Sequence, residues 1–407
     1  VRILISSIVD LKSSAHNRLH EFIRDLSRNH EVTILSIKDW WKAAQVDAGQ
    51  YNRGVEDIWP HVSVQYFTTL KISPILQEML SLFTLGRRLR QLGDFDVHFN
   101  YNTLVSGLFL SVMMKRRGVK TVYDLADDLP AMIRTSPQIN PVLRPFGGLF
   151  ASLMLRCNLH IAEKVTLTTE ALHLPDRYQE KYIVLPNGVD TSLFSKKDSR
   201  DLRRELGIED CFVMGYVGVL REWVDLRPTL GALAALRDRG HNVKLLILGE
   251  EGGLDACRSL TEEFGVADQV LFIGTVPYEQ VPRYVSLMNV GLIPFGYNPV
   301  ASGALPLKLL EYMSCEIPVI CTPLPGITTA VGDTVLYAGD ADDIVEHVVR
   351  IKERPAEMKR MQAEGLALVQ KDFEWRDIAH HLGAVLDEVR MGSAANQRQS
   401  DKDTQRK

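Results

Sequence analysis

A lysine and a glutamate stand three residues apart in Ser302-Gly303-Ala304-Leu305-Pro306-Leu307-Lys308-Leu309-Leu310-Glu311, directly after small residues and a proline. Proline suits the first position of a helix, where a missing N–H is no loss. The N–H groups that open such a helix, near Leu307, lack internal partners, and the peptide dipoles favour an anion there. Lys308 adds a mobile positive charge suited to a diphosphate. Glu311, on the same face, offers a carboxylate to vicinal hydroxyls such as those of a ribose. Ser302, Gly303 and Ala304 would form the loop against the rest of that ligand. The bland alternative is a surface pair at i, i+3 spacing.

Three other constellations carry chemistry. In Tyr216-Val217-Gly218-Val219-Leu220-Arg221-Glu222-Trp223-Val224-Asp225 the chain leaves an apolar strand through Gly218. A ligand could approach the backbone there, with Arg221 available for phosphate. Asp225 reads as the N-cap of the next helix. In Val122–Pro130, Asp124, Asp127 and Asp128 crowd the end of an apolar strand, which is costly unless they act or are paired. Asp127 or Asp128 could serve as a general base toward a hydroxyl; N-capping is the alternative. The loop Lys12–Arg18 follows the first strand and has no glycine, so it is no dinucleotide fingerprint. Ser13 or Ser14 reads as a helix cap, and Ser14, His16 and Arg18 would meet a ligand only if the helix begins about there. His16 and His20 lie four apart but lack a third ligand, so no metal is expected.

The elements that must hold these residues alternate. Apolar runs at Phe212–Val217, Val243–Leu248, Val270–Ile273, Val290–Phe295, Pro318–Cys321 and Thr334–Tyr337 are separated by helical patterns. Strands apolar on both faces imply a parallel sheet covered by helices on both sides. The first half repeats the rhythm at Arg2–Ser6, Val32–Ile37, Val62–Phe67, Phe95–Phe99 and Lys120–Tyr123, with helices over 19–28, 74–92 and 103–117; Trp40–Val62 is irregular. The expected fold class is α/β, two doubly wound domains facing across a cleft lined by the C-terminal edges of their strands. The boundaries read as 1–188, 189–372, a helix over 373–391 packing back on the first domain, and a disordered tail over 392–407.

With 407 residues, the chain exceeds what one core sustains. No apolar stretch reaches the ~20 residues of a membrane span, and Val1–Ile5 is strand-length, with no secretory signal visible. Five scattered cysteines suggest neither a disulfide framework nor a zinc cage, so a cytoplasmic location is expected. The net charge of −4 excludes nucleic acid as a main partner, and it divides unevenly. Residues 1–190 hold 22 Lys and Arg against 19 Asp and Glu; residues 191–407 hold 25 against 32. Basic-apolar stretches at 85–92, 113–120 and 134–156 are of a kind that rests on anionic lipid, against the alternative of solvated surface over a domain core.

The chain resembles the GT-B glycosyltransferases, and within them the large family-4 group that uses nucleotide sugars. Pro186-Asn187-Gly188-Val189-Asp190, Leu246–Glu250, Val270–Gly274, Pro306–Glu311 and Pro318-Val319-Ile320 carry the likeness, in that order. Gly303 stands where typical members have the first glutamate of a Glu-seven-Glu pair, and Val219 and Val224 replace an Arg and a Lys. Glu222–Asp225, Asp124–Asp128 and Pro306–Glu311 instead resemble a subgroup with Glu-Trp-x-Asp, Asp-x-x-Asp-Asp and Pro-Leu-Lys-x-x-Glu. The resemblance implies transfer of a sugar from a nucleoside diphosphate sugar to a glycan or lipid-linked acceptor, with retention and without metal or other cofactor. Diphosphate would lie on Lys308, Arg221, Gly218 and Leu307, ribose on Glu311, the donor sugar by Ser302–Ala304, and the acceptor by Asp127, Asp128 and the Ser14–Arg18 loop. The alternatives are a non-catalytic GT-B subunit and a nucleotide-sugar epimerase.

Overall fold

The computed structural model describes all residues except 13, 15, 39–57, 69, 137–138, 173, 250–253 and 405–407. It falls into two compact units, Val1–Pro186 with Arg376–Lys407, and Asn187–Trp375. Most of the irregular 40–62 segment therefore lies outside the described residues.

The first unit is a seven-stranded sheet in the order β3-β2-β1-β4-β5-β6-β7, every pairing parallel. Its strands are β1 (Arg2–Ser7), β2 (Glu31–Ser36), β3 (Val62–Tyr66), β4 (Val97–Tyr101), β5 (Thr121–Leu125), β6 (Lys164–Leu167) and β7 (Tyr182–Val184). Helices α1 (Arg18–Leu26), α2 (Pro74–Leu92), α3 (Val105–Arg116), α4 (Leu129–Thr135) and α5 (Arg144–Ile161) connect them. A right-handed crossover places α1, between β1 and β2, on one face, and α2, α3 and α5, whose connections run the other way along the sheet, on the opposite face.

The second unit has six parallel strands in the order β10-β9-β8-β11-β12-β13. These are β8 (Phe212–Val217), β9 (Val243–Leu248), β10 (Val270–Gly274), β11 (Val290–Ile293), β12 (Val319–Cys321) and β13 (Leu336–Tyr337). Its helices are α6 (Arg200–Glu205), α7 (Arg227–Asp238), α8 (Leu254–Glu263), α9 (Val281–Val285), α10 (Pro299–Ser302), α11 (Leu307–Ser314), α12 (Pro325–Val331), α13 (Ala341–Glu353) and α14 (Pro355–Asp372). The last helix, α15 (Trp375–Thr404), belongs to the first unit after its opening residue. It buries Ile378, Leu382, Val385, Leu386 and Val389, with Gly383 against Leu26 of α1. The backbone stays helical past Gly392, where the polar composition suggests a disordered tail.

The central strands β1, β4 and β5 read as apolar, but a polar network runs through them. Ser6 meets His98 at 3.0 Å and donates to Asn100, Asn100 donates to Asn158 (2.9 Å), and His98 meets Thr121 at 3.1 Å. Every member finds a partner, so burial of these groups is tolerable. Gly107 of α3 is required here, because a Cβ would collide with the side chains of Thr103 and Asn100.

Burial holds the His98 imidazole down at about 3, and burial together with the neighbouring His16 holds His20 down at about 4. Both rings enter the fold neutral, whereas in the unfolded chain they take protons near the ordinary value of ~6.5. The unfolded state then binds more protons below that value, so stability is full above pH ~6.5 and falls as the pH drops toward 4. Urea midpoints recorded from pH 7.5 to 4.5 should decline, and His98→Asn should flatten part of the decline; a flat wild-type profile would contradict it.

Candidate functional site

In each sheet the strand order reverses between two neighbours, β1 and β4 in one unit, β8 and β11 in the other. Ligands of open α/β sheets bind at the carboxyl ends of the strands at such switch points. The second unit's candidate residues gather there. Gly218 follows β8 with φ +121°, a conformation side-chain-bearing residues rarely adopt. A Cβ on it would lie 2.7 Å from Lys308 Nζ, so only glycine leaves the lysine its place. Gly249 at the end of β9 packs against the Gly218 backbone, and Gly218 donates its N–H to Leu248 at 2.7 Å.

Pro306 is the N-cap of α11 rather than its first helical residue, and it supplies no side-chain cap. Helix α11 thus opens at Leu307 without a side chain over its first N–H groups, the arrangement that favours an anion. Lys308 in the first turn donates to Tyr216 Oη (2.8 Å), and its ammonium sits 4.0 Å from the Tyr216 ring centre and 5.7 Å from that of Phe295. Tyr216 in turn donates to the Val219 carbonyl at 2.9 Å. Among the described residues Lys308 forms no ion pair. Burial pushes its pKa down to about 7, partly opposed by Glu311. Glu311 is buried and accepts a hydrogen bond from Tyr278 Oη at 3.2 Å. Burial lifts its carboxyl to about 7, against the pull of Tyr278 and Lys308. Lysine with tyrosine and glutamate with tyrosine form a cationic and an acceptor pole one helical turn apart.

Arg221 is exposed and lines an open cavity of about 600 Å³ bounded by residues 219–222 and 224–227 and by Ala256, Cys257 and Leu260 of α8. Its charge reaches Tyr216, whose hydroxyl it pulls down against the upward push of burial. The loop is fixed by Gly296 donating to the Trp223 carbonyl (2.7 Å) and Asp225 donating to that of Pro294 (2.8 Å). Asp225 is not the helix cap. That position falls to Leu226, and the Asp225 carboxylate accepts from Arg227 instead. Ser302 ends the short helix α10, which Asn298 caps, and the Gly303–Ala304 backbone packs on Gly326.

In the first unit the three aspartates divide their tasks. Asp124 is fully buried and pairs with Arg18 through both oxygens (3.0 and 3.3 Å), while Thr166 donates at 2.5 Å. Arg18 also donates to the Pro186 carbonyl at 2.6 Å and stacks over Phe22, so its guanidinium is committed to the fold and only 3% exposed. Asp128 caps α4, accepting from the Ala131 N–H at 2.9 Å, which explains it as a structural carboxylate rather than a free base. Asp127 remains. It accepts from the Asn102 amide at 3.2 Å, and Asn102 holds φ +52° to present it. Burial raises its pKa, opposed first by that hydrogen bond, and the raised value suits proton transfer. The residue keeps an exposed face, which limits the rise.

In the loop before α1, Asn17 takes the cap expected of Ser13 or Ser14; Ser13 lies outside the described residues. Ser14 is buried and accepts from Asn17. His16 sits 2.9 Å from Glu21 and stacks on His20, which meets the Leu11 carbonyl at 2.9 Å. Among the described residues no cluster of three or more His, Cys, Asp or Glu side chains could hold a metal. Sequence reasoning missed Tyr278 and Asn102; both act across long sequence separations, and neither carries a local signal.

Residues 198–366 match the family described as "Glycosyl transferases group 1". The D-inositol 3-phosphate glycosyltransferase of Acidothermus cellulolyticus is 30% identical over 40% of this chain, and the match spans only 39% of that relative's own length. The GDP-mannose-dependent alpha-(1-6)-phosphatidylinositol monomannoside mannosyltransferase of Mycolicibacterium smegmatis is 25% identical over 90% of this chain and 93% of its own. Among solved structures, Anabaena Alr3699/HepE in complex with UDP superposes with a TM-score of 0.70 at 16% identity, over 95% of this chain and 100% of that one. The two parallel-sheet units have the GT-B fold, and the family match lies within the second of them.

Proposed function

We propose that this protein transfers a sugar from a nucleoside diphosphate sugar to an acceptor hydroxyl. The observation that carries the reading is Lys308, which forms no ion pair among the described residues and stands at an uncapped helix N-terminus, one turn from a buried glutamate. The donor diphosphate lies against Lys308, the N–H groups at Leu307 and the glycine backbone at 218, with Arg221 beside it. Glu311 accepts from the ribose hydroxyls. As the sugar–phosphate bond breaks, negative charge grows on the departing diphosphate, and the fixed lysine and helix dipole stabilise it without a metal or other cofactor. Asp127 orients the acceptor hydroxyl and takes its proton. Retention of configuration follows the family likeness. Relatives named for GDP-mannose and for inositol-based acceptors support a hexose donor and a polyol, glycan or lipid-linked acceptor.

Asp127→Asn keeps the hydrogen-bonding shape and removes the base. Transfer from the preferred nucleoside diphosphate sugar should fall roughly 10²- to 10⁴-fold while donor affinity stays within about twofold. Equal turnover would remove Asp127 from the chemistry. Nucleotide binding without any transfer by the wild type would point to a non-catalytic subunit, and product formed without acceptor to an epimerase or hydrolase.

A further inference from the structure

Helices α2, α3 and α5 pack side by side on one face of the first sheet, and each runs against the strands, so their ends align. Their outward stripes share one polarity. In α2 the stripe reads Leu76, Met79, Phe83, then Arg87 and Arg90; in α3 it reads Phe109, then Arg116; in α5 it reads Phe146, Leu149, Phe150, Leu153, then Arg156. The spacings of three and four put each set on one helix face. Phe83 is 85% exposed, Phe146 70% and Leu149 69%, and Val142 and Leu143 extend the patch ahead of α5. A soluble monomer rarely leaves so many large apolar side chains contiguous and uncovered. The first halves of the three helices thus make an apolar band and the second halves a basic one.

We infer that this face docks on an anionic lipid surface. The three helices hold seven Lys and Arg and a single acid, Glu78, and that acid is occupied in capping α3 through Val105 and Ser106. Among the described residues Arg87, Arg88, Arg116 and Arg156 form no ion pair, so their charge is available to lipid phosphates. Charge complementarity selects the occupant: a second copy laid on this face brings the same excess of positive charge, whereas an anionic bilayer neutralises it while phenylalanines enter the acyl boundary. No described helix is long and apolar enough to cross a membrane. The inference is independent of the nucleotide reading, since it uses none of the residues at Lys308 or Asp127.

Vesicle flotation tests it, with phosphatidylglycerol–phosphatidylcholine vesicles against pure phosphatidylcholine, at low and high salt. The full chain should float with the anionic vesicles, and 0.5 M salt should weaken it. Phe83→Ser/Phe146→Ser/Leu149→Ser should lose flotation, and Arg87→Gln/Arg116→Gln should weaken partitioning roughly 25-fold, about fivefold per lost charge. These side chains are exposed, so urea midpoints should not move. Lys308→Ala should float like the wild type whatever its nucleotide affinity. No flotation at low salt, equal flotation of the triple variant, or a dimer by light scattering that the triple variant abolishes would each overturn the inference.

Discussion

Replacing Lys308 with alanine is expected to lower turnover by roughly 10²- to 10³-fold, the usual penalty for removing one preorganised charge donor from a developing oxyanion. The loss should appear in donor affinity as well, because the same ammonium meets the ground-state diphosphate. The pH dependence gives a sharper signature. Lys308 and Glu311 are both held at about 7, from opposite directions. The diphosphate needs the ammonium, so affinity falls as the pH rises above that value. The ribose needs the carboxylate, so affinity also falls as the pH drops below it. Calorimetric titration of UDP and GDP from pH 5.5 to 9 should trace a maximum near neutrality. Lys308→Ala should erase the alkaline limb and move the acid limb upward, since the lysine no longer holds Glu311 down. Alanine binding as tightly as lysine across the range would refute the phosphate assignment.

The second large effect concerns stability. Arg18→Met leaves Asp124 buried with Thr166 as its remaining side-chain donor, and breaking a buried pair from one side typically costs about 3–5 kcal/mol. Unfolding followed by probes in the two units should show the first unit's transition falling and the second unit's unmoved. Arg18→Met/Asp124→Leu should recover much of the loss, because an apolar pair leaves no orphaned charge. If the single variant were as stable as the wild type, the pair would not hold α1 to β5.

These two sites differ in how openly the residues declare them. Long β-branched runs with helical patterns between them made the parallel sheets plain, since few other arrangements bury strands on both faces. Lys164–Leu167 and Tyr182–Val184 were not legible, being three or four residues long and flanked by charge. The Lys308–Glu311 turn could be read because both residues lie on one helix face. Its partners Tyr216 and Tyr278 come from other elements, and only the sheet order brings them near. Capping was the weakest reading. Ser14, Asp225 and Pro306 each had a suitable residue type, yet Asn17, Leu226 and a shifted helix start prevailed, because a cap is decided by one backbone torsion that neighbours in space select. Asp127 and Asp128, adjacent and alike in type, separate only once the start of α4 is seen.

The placement of α15 sets an order of events during synthesis. Leu382, Val385, Leu386 and Val389 complete the first unit, and they leave the ribosome after all of the second. Domains ordinarily fold as they emerge, the leading one first. Here the leading unit waits without the apolar stripe of α15 that packs beside α1 until some 190 intervening residues have been made, while the following unit, Asn187–Trp375, has everything it needs. Its two ends are already stitched together by Val189 donating to the Phe373 carbonyl and Trp375 donating to that of Val189. A chain stalled before residue 376 therefore holds a finished second unit and an unfinished first, and the nascent first unit is the part that a chaperone would have to shelter.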